Sequence, residues 1–406
     1  MDPLEILENL HKVRPVYQPI ISAVKHDVIG YEVLGRYQSE SGDWISLGDF
    51  FHDNDVPDEY KIEVDQHLLH LAVSKMLEEK NESSLFINRN AKQLLVNSGE
   101  DFLQALKVFE KQGFAMNRIV LEITEHDFDE DFGMLEHLLI YYKTYGIQIA
   151  VDHVGAKSSN IDRIRQLKPH ILKIDTSISR QHKQEVFQDI IYSLSVLARR
   201  IGAKLAYENI EDNHQLYFAW KHGGHYYQGF YLANPDFNFL STDFVSVDVG
   251  EKVKAFVQLE KSRVESRLAF TLACEEKIKK LSTQWQGPET ADAFIEVAKN
   301  SFDDESFRIY ICDSNGQQVS SNFRKRLQVW ETEKDQQGSH WAFRPYFLEN
   351  TMHMKTWHKG ILSDTYSDIE TGEMVRTFSY PLSDQFFLFI DISYAFLLEN
   401  DYLYFQ

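Results

Sequence analysis

Seven short apolar stretches in the first 235 residues carry, at or near their C-terminal ends, side chains that can do chemistry. Glu32 lies in VIGYEVLG with Arg36 just beyond it, Asn88 ends SLFIN, Glu122 lies in IVLEI, and Asp152 with His153 comes directly after IQIAV. Lys173 and Asp175 lie in ILKID, Glu208 ends KLAYE, and Gln228 falls in YYQGFYL. Each alone has a structural explanation, such as a rim salt bridge or a helix cap. Together they are harder to dismiss, because several carboxylates buried near one axis are costly unless cations compensate. Glu, Asp and Asn oxygens suit hard ions such as Mg²⁺, Mn²⁺ or Ca²⁺ better than a thiolate-type zinc site would. Arg36 and Lys173 in the same set imply an anionic ligand, most naturally a phosphate.

Such a set needs elements that bring it to one place. Counting PVYQPII, the chain has eight short apolar runs up to residue 235, mostly separated by amphipathic helical patterns such as YKIEVDQHLLHLAVSKMLEEK and EVFQDIIYSLSVLARRIG. Eight strands alternating with helices predict a closed β/α barrel, whose active site lies at the C-terminal rim of the strands. Only SAVKHD separates the first two runs, too short for a helical crossover, so they are expected to pair as an antiparallel hairpin.

Composition bounds the rest. At 406 residues two domains are expected, and 43% hydrophobic content is ample for packed cores. Lys and Arg total 42 against 62 Asp and Glu, a net charge of -20, which disfavours a nucleic-acid polymer as partner. It does not exclude a small anion held through divalent cations. Two cysteines form no framework and suit a reducing compartment. The most apolar late run, FFLFIDISYAFLL, carries Asp391 and is too short to span a bilayer, so a cytoplasmic protein without membrane insertion is expected.

After residue 240 the pattern changes. A polar helical stretch with Val253, Val257, Val264 and Leu268 on one stripe reads as a long helix joining two domains; that stripe either packs on its own domains or meets a partner helix across a dimer. From about residue 285, a helix at ADAFIEVAKNSF precedes FRIYICDSNGQQVSS, read as strand, Asn-Gly turn and strand, and GEMVRTFSYPLSDQFFLFIDIS, read as a hairpin turning at Ser383 and Asp384. The expected organisation is a barrel at 1–240, a linker helix at 241–284 and an α+β domain at 285–406.

Taken together, these residues resemble the EAL domains, cyclic di-GMP phosphodiesterases on a modified (β/α)8 TIM-type barrel with an antiparallel first hairpin. YEVLGR at 31–36 stands where the family writes Glu-Ala-Leu followed by an arginine. YQPI at 17–20, FIN at 86–88, LEITE at 121–125, LKID at 172–175, YENIE at 207–211 and QGFYLANP at 228–235 fall in the family's order. The resemblance implies that Glu32, Asn88, Glu122 and Asp152 ligate a divalent metal, Mg²⁺ or Mn²⁺, with Ca²⁺ able to occupy the site without supporting turnover. It implies that Lys173 holds the attacking water or a phosphate oxygen, and that Glu208 acts as base or completes the metal shell, with Glu32 among the catalytic groups. Gln18, Arg36 and Gln228 would hold cyclic di-GMP, Glu125 would brace the loop after the fifth strand, and a homodimer is expected.

The chain departs from the family at one place. Two adjacent aspartates and Phe-Gly-Thr-Gly-Tyr-Ser-Ser are usual there; this chain has Asp152-His153 and then Val154-Gly155-Ala156-Lys157-Ser158-Ser159, one residue shorter. A neutral imidazole is a poor exchange for a carboxylate on Mg²⁺, though it can ligate Mn²⁺ or Zn²⁺. His153 therefore marks a compromised second ion site, an altered metal preference, or a residue turned into packing. The expectation is a cyclic di-GMP-binding protein with weak or absent phosphodiesterase activity; the alternative is an active phosphodiesterase giving pGpG. The segment SHWAFRPYF at 339–347 and the hairpin after it resemble PAS-like sensory domains of the Cache type. That resemblance implies a small-ligand pocket anchored by aromatics and Arg344, or a dimerisation unit; core packing is the alternative for Trp341, Tyr346 and Phe347.

Overall fold

The computed structural model describes residues 2–124, 132–155, 161–177, 184–240, 242–344 and 347–404, with side chains omitted at 184–188 and 242–247. The chain divides into two compact units, Met1–Phe256 and Val257–Gln406.

In the first unit, β1 (Val13–Ser22) and β2 (Val28–Gln38) form the expected antiparallel hairpin. The short β3 (Trp44–Ser46), which periodicity does not reveal, pairs antiparallel with β2 outside the ring. Six more strands complete the unit: β4 (Ser84–Asn88), β5 (Ile119–Thr124), β6 (Gln148–Asp152), β7 (Ile171–Asp175), β8 (Lys204–Glu208) and β9 (Gly224–Tyr227). Parallel pairing runs from β2 through β4 to β9, and β9 returns antiparallel to β1, closing a ring of eight strands. Helices Asp58–Glu78, Glu100–Lys111, Phe132–Thr144, Ile161–Leu167, Gln184–Ile201 and Asn213–Lys221 cover the outside. The last barrel strand is shorter than expected: it stops at Tyr227, and Gln228 begins the next turn. Gly229 is required in that turn, because a Cβ there would lie 2.2 Å from the carbonyl oxygen of Ile210.

The barrel interior is plugged by Ile20, Phe86, Val120, Ala150, Ile171 and Ala206. Gly30 makes room for this layer, since a Cβ would meet the Phe86 ring at 2.8 Å. The larger core lies between the strands and the helices.

A helix of 41 residues, Thr242–Ser282, spans the division between the units. The second unit is an antiparallel sheet of seven strands. Its main path runs β12 (Val329–Glu333), β11 (Asn322–Arg326), β10 (Ser306–Asp313), β16 (Phe386–Ile392), β15 (Met374–Pro381) and β13 (Ile361–Leu362), with β14 (Tyr366–Ser367) also on β15. The hairpin β15–β16 forms as expected. The segment after Asn315-Gly316 does not: residues 317 and 318 make only isolated bridges, and the strand itself is Asn322–Arg326. Helix Ala291–Ala298 packs Phe294, Ile295 and Ala298 into this unit's core. Trp341 is half-buried and Phe347 buried, while Tyr346 lies outside the described residues. No described helix is long and apolar enough to cross a membrane.

Candidate functional site

Strand side chains alternate between faces, so residues two apart share one. Two residues C-terminal to Phe86, Val120, Ala150, Ile171 and Ala206 in the plug come Asn88, Glu122, Asp152, Lys173 and Glu208. Glu32 comes after Gly30 by the same step, and Gln18, on the antiparallel strand, lies directly opposite Glu32. The apolar plug is thus topped by a polar layer at the C-terminal rim, where barrels of this kind place their chemistry.

Lys173 is the hub of that layer. Its ammonium is 2.9 Å from Glu122 Oε2, 3.1 Å from Glu208 Oε2, 3.2 Å from Glu32 Oε2 and 3.9 Å from Asp152 Oδ1. Glu32 also accepts from Asn88 Nδ2 and from Gln228 Nε2, each at 2.6 Å. All five charged side chains are buried, Lys173 and Glu122 almost completely.

One ammonium does not compensate four carboxylates. Burial, reinforced by Asp152, pushes the Glu208 carboxyl up to about 8 despite Lys173. Burial likewise raises Glu122 well above the carboxylate range, against the pull of Lys173. Asp152 goes the other way, its burial outweighed by Lys173 and two hydrogen bonds from His153. Lys173 stays charged, the cost of burying it outweighed by its carboxylate neighbours. Two carboxylate oxygens in this layer, Glu122 Oε1 and Glu208 Oε1, are buried with no hydrogen-bond partner among the described residues. Buried carboxyl oxygens left without a partner are costly unless something absent from the chain completes them. An oxygen-rich donor set with two such atoms fits a hard divalent cation.

His153 is not turned into the core. Its backbone is left-handed (φ +56°), its N–H donates to Asp152 Oδ1 at 2.8 Å, and its Nδ1 is 3.0 Å from Asp152 Oδ2. The ring is 47% exposed, and the hydrogen bond to Asp152 raises its pKa to about 9. Donor atoms of Asp152, His153 and Glu208 all lie within 4.8 Å of one another.

The structure therefore brings Glu32, Asn88, Glu122, Asp152, Lys173, Glu208 and Gln228 into one bonded cluster. Gln18 lies beside it, buried and paired in register with Glu32. Arg36 stands outside the bonded cluster, four residues further along β2, donating to the Gly35 carbonyl at 3.0 Å and to Ser46 Oγ at 3.4 Å. Asp175 caps a turn instead, accepting from the Ser177 N–H. Glu125 and the loop residues 156–160 lie outside the described residues.

Two supports carry almost no signal in the sequence. Thr176 Oγ1 donates to the carbonyls of Glu208 and Asn209, tying the ends of β7 and β8 together; its only signal is its place just after LKID. Arg89 donates to the Asn88 carbonyl and pairs with Asp65 at 3.0 Å, which braces the end of β4 from the helix Asp58–Glu78.

Two family models match the chain. One is the EAL domain, over residues 5–235; the other is an EAL-domain associated signalling protein domain, over residues 239–404. The chain is 43% identical over 404 residues to the uncharacterized EAL-domain containing protein YkuI of Bacillus subtilis, covering 99% of each. It is 23% identical over 236 residues to the probable cyclic di-GMP phosphodiesterase PdeD of Escherichia coli, spanning 55% of this chain but 42% of that one. Among solved structures, the B. subtilis YkuI protein in complex with substrate c-di-GMP and calcium superposes with a TM-score of 0.93 at 43% identity, over 99% of this chain and 100% of that one. The FimX EAL domain from Pseudomonas aeruginosa bound to c-di-GMP gives a TM-score of 0.52 at 22% identity over 59% of this chain and 98% of that one, a likeness of fold alone.

Proposed function

The chain belongs to the EAL-domain family, and on that premise we propose that it binds cyclic di-GMP through a divalent cation at the barrel rim, with weak or absent hydrolysis. The observation that carries this reading is the buried layer around Lys173: four carboxyl groups, one ammonium and two carboxyl oxygens with no partner among the described residues. The complex of YkuI with c-di-GMP and calcium supports the choice of ligand.

In this reading Glu32, Asn88, Glu122 and Asp152 hold the ion, Mg²⁺ or Mn²⁺ in the cell and Ca²⁺ as a non-catalytic substitute. A bound ion would polarise the phosphodiester and lower the pKa of its water. Lys173, hydrogen-bonded to Glu32 and Glu122 and ion-paired with Glu208, gathers the acidic side chains at one point and stands ready to hold a water or phosphate oxygen. Glu208, whose carboxyl is pushed up to about 8, is suited to hold or accept a proton near neutrality. Gln18, Arg36 and Gln228 hold the dinucleotide. His153 in place of a second aspartate removes one anionic ligand, which supports slow turnover.

We further propose that the chain comprises a barrel at 1–240, a linker helix at 241–284 and a PAS-like sensory or dimerisation domain at 285–406, in a cytoplasmic homodimer. A cavity of about 80 Å³ lined by Arg308, Tyr310, Trp341 and Arg344 supports a small ligand in that domain.

Titration with cyclic di-GMP and Ca²⁺, then Mg²⁺ and Mn²⁺, tests the central claim when the recovered nucleotide is analysed. The expected result is binding that Glu32→Ala abolishes, with the dinucleotide returned intact. Rapid conversion to pGpG, lost in Glu32→Ala, would establish the active phosphodiesterase instead.

A further inference from the structure

Arg14 and Arg36 face each other directly across the hairpin β1–β2. The register runs without a shift from that pair through Val16 and Leu34 to Gln18 and Glu32. Directly opposed residues of an antiparallel pair share a face, and residues two apart share it too. Both arginines therefore project on the side of the rim layer, not on the outer side, where the neighbouring pair Val13 and Tyr37 is buried with Ile6 and Leu47. Arg14 is exposed and Arg36 half-buried.

Among the described residues neither arginine has a carboxylate within ion-pairing distance; the side-chain partners of Arg36 are a carbonyl and a hydroxyl. This is unusual in a chain with a net charge of -20, where acidic partners are plentiful. Like charges directly opposed on a sheet repel. Two guanidinium groups carried on one face of a hairpin, with no carboxylate between them, can instead recognise an oxyanion, each able to give two parallel N–H···O bonds. The pair lies four residues from the Glu32 level, about 13 Å along the strand.

We infer that Arg14 is a second anion contact of the rim, clasping with Arg36 a phosphodiester group that the carboxylate layer does not engage. This rests on the reading of the rim as a cyclic dinucleotide site. A ring of two nucleotides has two phosphodiester groups, so one facing the Lys173 layer leaves the other to be held elsewhere. Arg14 supplies specificity for the doubly charged ring over ligands with a single anionic group.

The test compares wild type, Arg14→Lys and Arg14→Ala by calorimetry in two arms: cyclic di-GMP with Ca²⁺, and inorganic pyrophosphate without metal. Arg14→Ala should weaken both about tenfold, the loss of a charge-assisted contact, and Arg14→Lys less, because it keeps the charge and loses the fork. The melting temperature of Arg14→Ala should be unchanged or raised, since removing one of two opposed cations relieves repulsion. Unchanged affinities in Arg14→Ala, or a lowered melting temperature in step with the affinity loss, would overturn the inference. If wild type binds no cyclic di-GMP, the reading of the rim fails separately, and the pyrophosphate arm decides on Arg14: no binding there, or none that depends on Arg14, refutes it.

Discussion

The ammonium of Lys173 lies 2.9 Å from Glu122 Oε2 with neither side chain more than 1% exposed, yet the other oxygen of Glu122 has no partner among the described residues. The pair compensates itself but not the layer around it. Lys173→Met should therefore destabilise the ion-free protein by about 3–5 kcal/mol, the usual cost of leaving buried charge unpaired. Divalent ions should restore most of that loss. Melting in EDTA and then in Ca²⁺ measures both effects, and a variant as stable as wild type in EDTA would remove Lys173 from its central place.

His153→Asp, with the adjoining loop lengthened by one residue, should raise Mg²⁺-dependent formation of pGpG by about tenfold or more, the scale on which ligand-shell changes act. Chromatography of the nucleotide products reads the result. No gain would mean that the second ion position is not what limits turnover.

Asp65 provides a pH test away from the rim. Its burial raises the carboxyl to about 6, only partly offset by Arg89. A folded-state pKa above the unfolded value means that the stability contribution is full below about pH 4 and is lost as pH rises through about 6. The stability of wild type relative to Asp65→Asn should accordingly fall by about 3 kcal/mol between pH 4 and 7. Urea unfolding of both proteins across that range checks it; a difference that does not move with pH contradicts the assignment.

Cys274 and Cys312 are both buried and unpaired, and burial raises the Cys274 thiol to about 12 and Cys312 well above its usual value. Because the thiolate is the reactive form, neither should react with a chromogenic disulfide reagent in the native protein. Both should titrate in denaturant. A fast-reacting native thiol would show that the second unit opens.

Much of the barrel is legible along the chain because its signals are local. SLFIN, ILKID and KLAYE coincide with β4, β7 and β8, since each is a short apolar run that ends on a polar residue. The strand β3 is not legible: all three of its residues are exposed, so no alternation marks it, and it exists only because β2 extends far enough to pair with it. QQVSS reads as a strand without being one, because an Asn-Gly turn suggests a tight hairpin, whereas Gln318 makes a single bridge to β10 and the continuous ladder begins only at Phe323.

The site divides in the same way. By itself the sequence determined which side chains end the strands, because alternation by two from an apolar plug needs no knowledge of neighbours. Tertiary structure alone decided that Lys173 touches three glutamates, that His153 stays on Asp152 at the surface, and that Arg14 stands opposite Arg36. Those contacts depend on strand order, register and ring closure, which bring together residues separated by up to 196 positions. No periodicity within one segment encodes them.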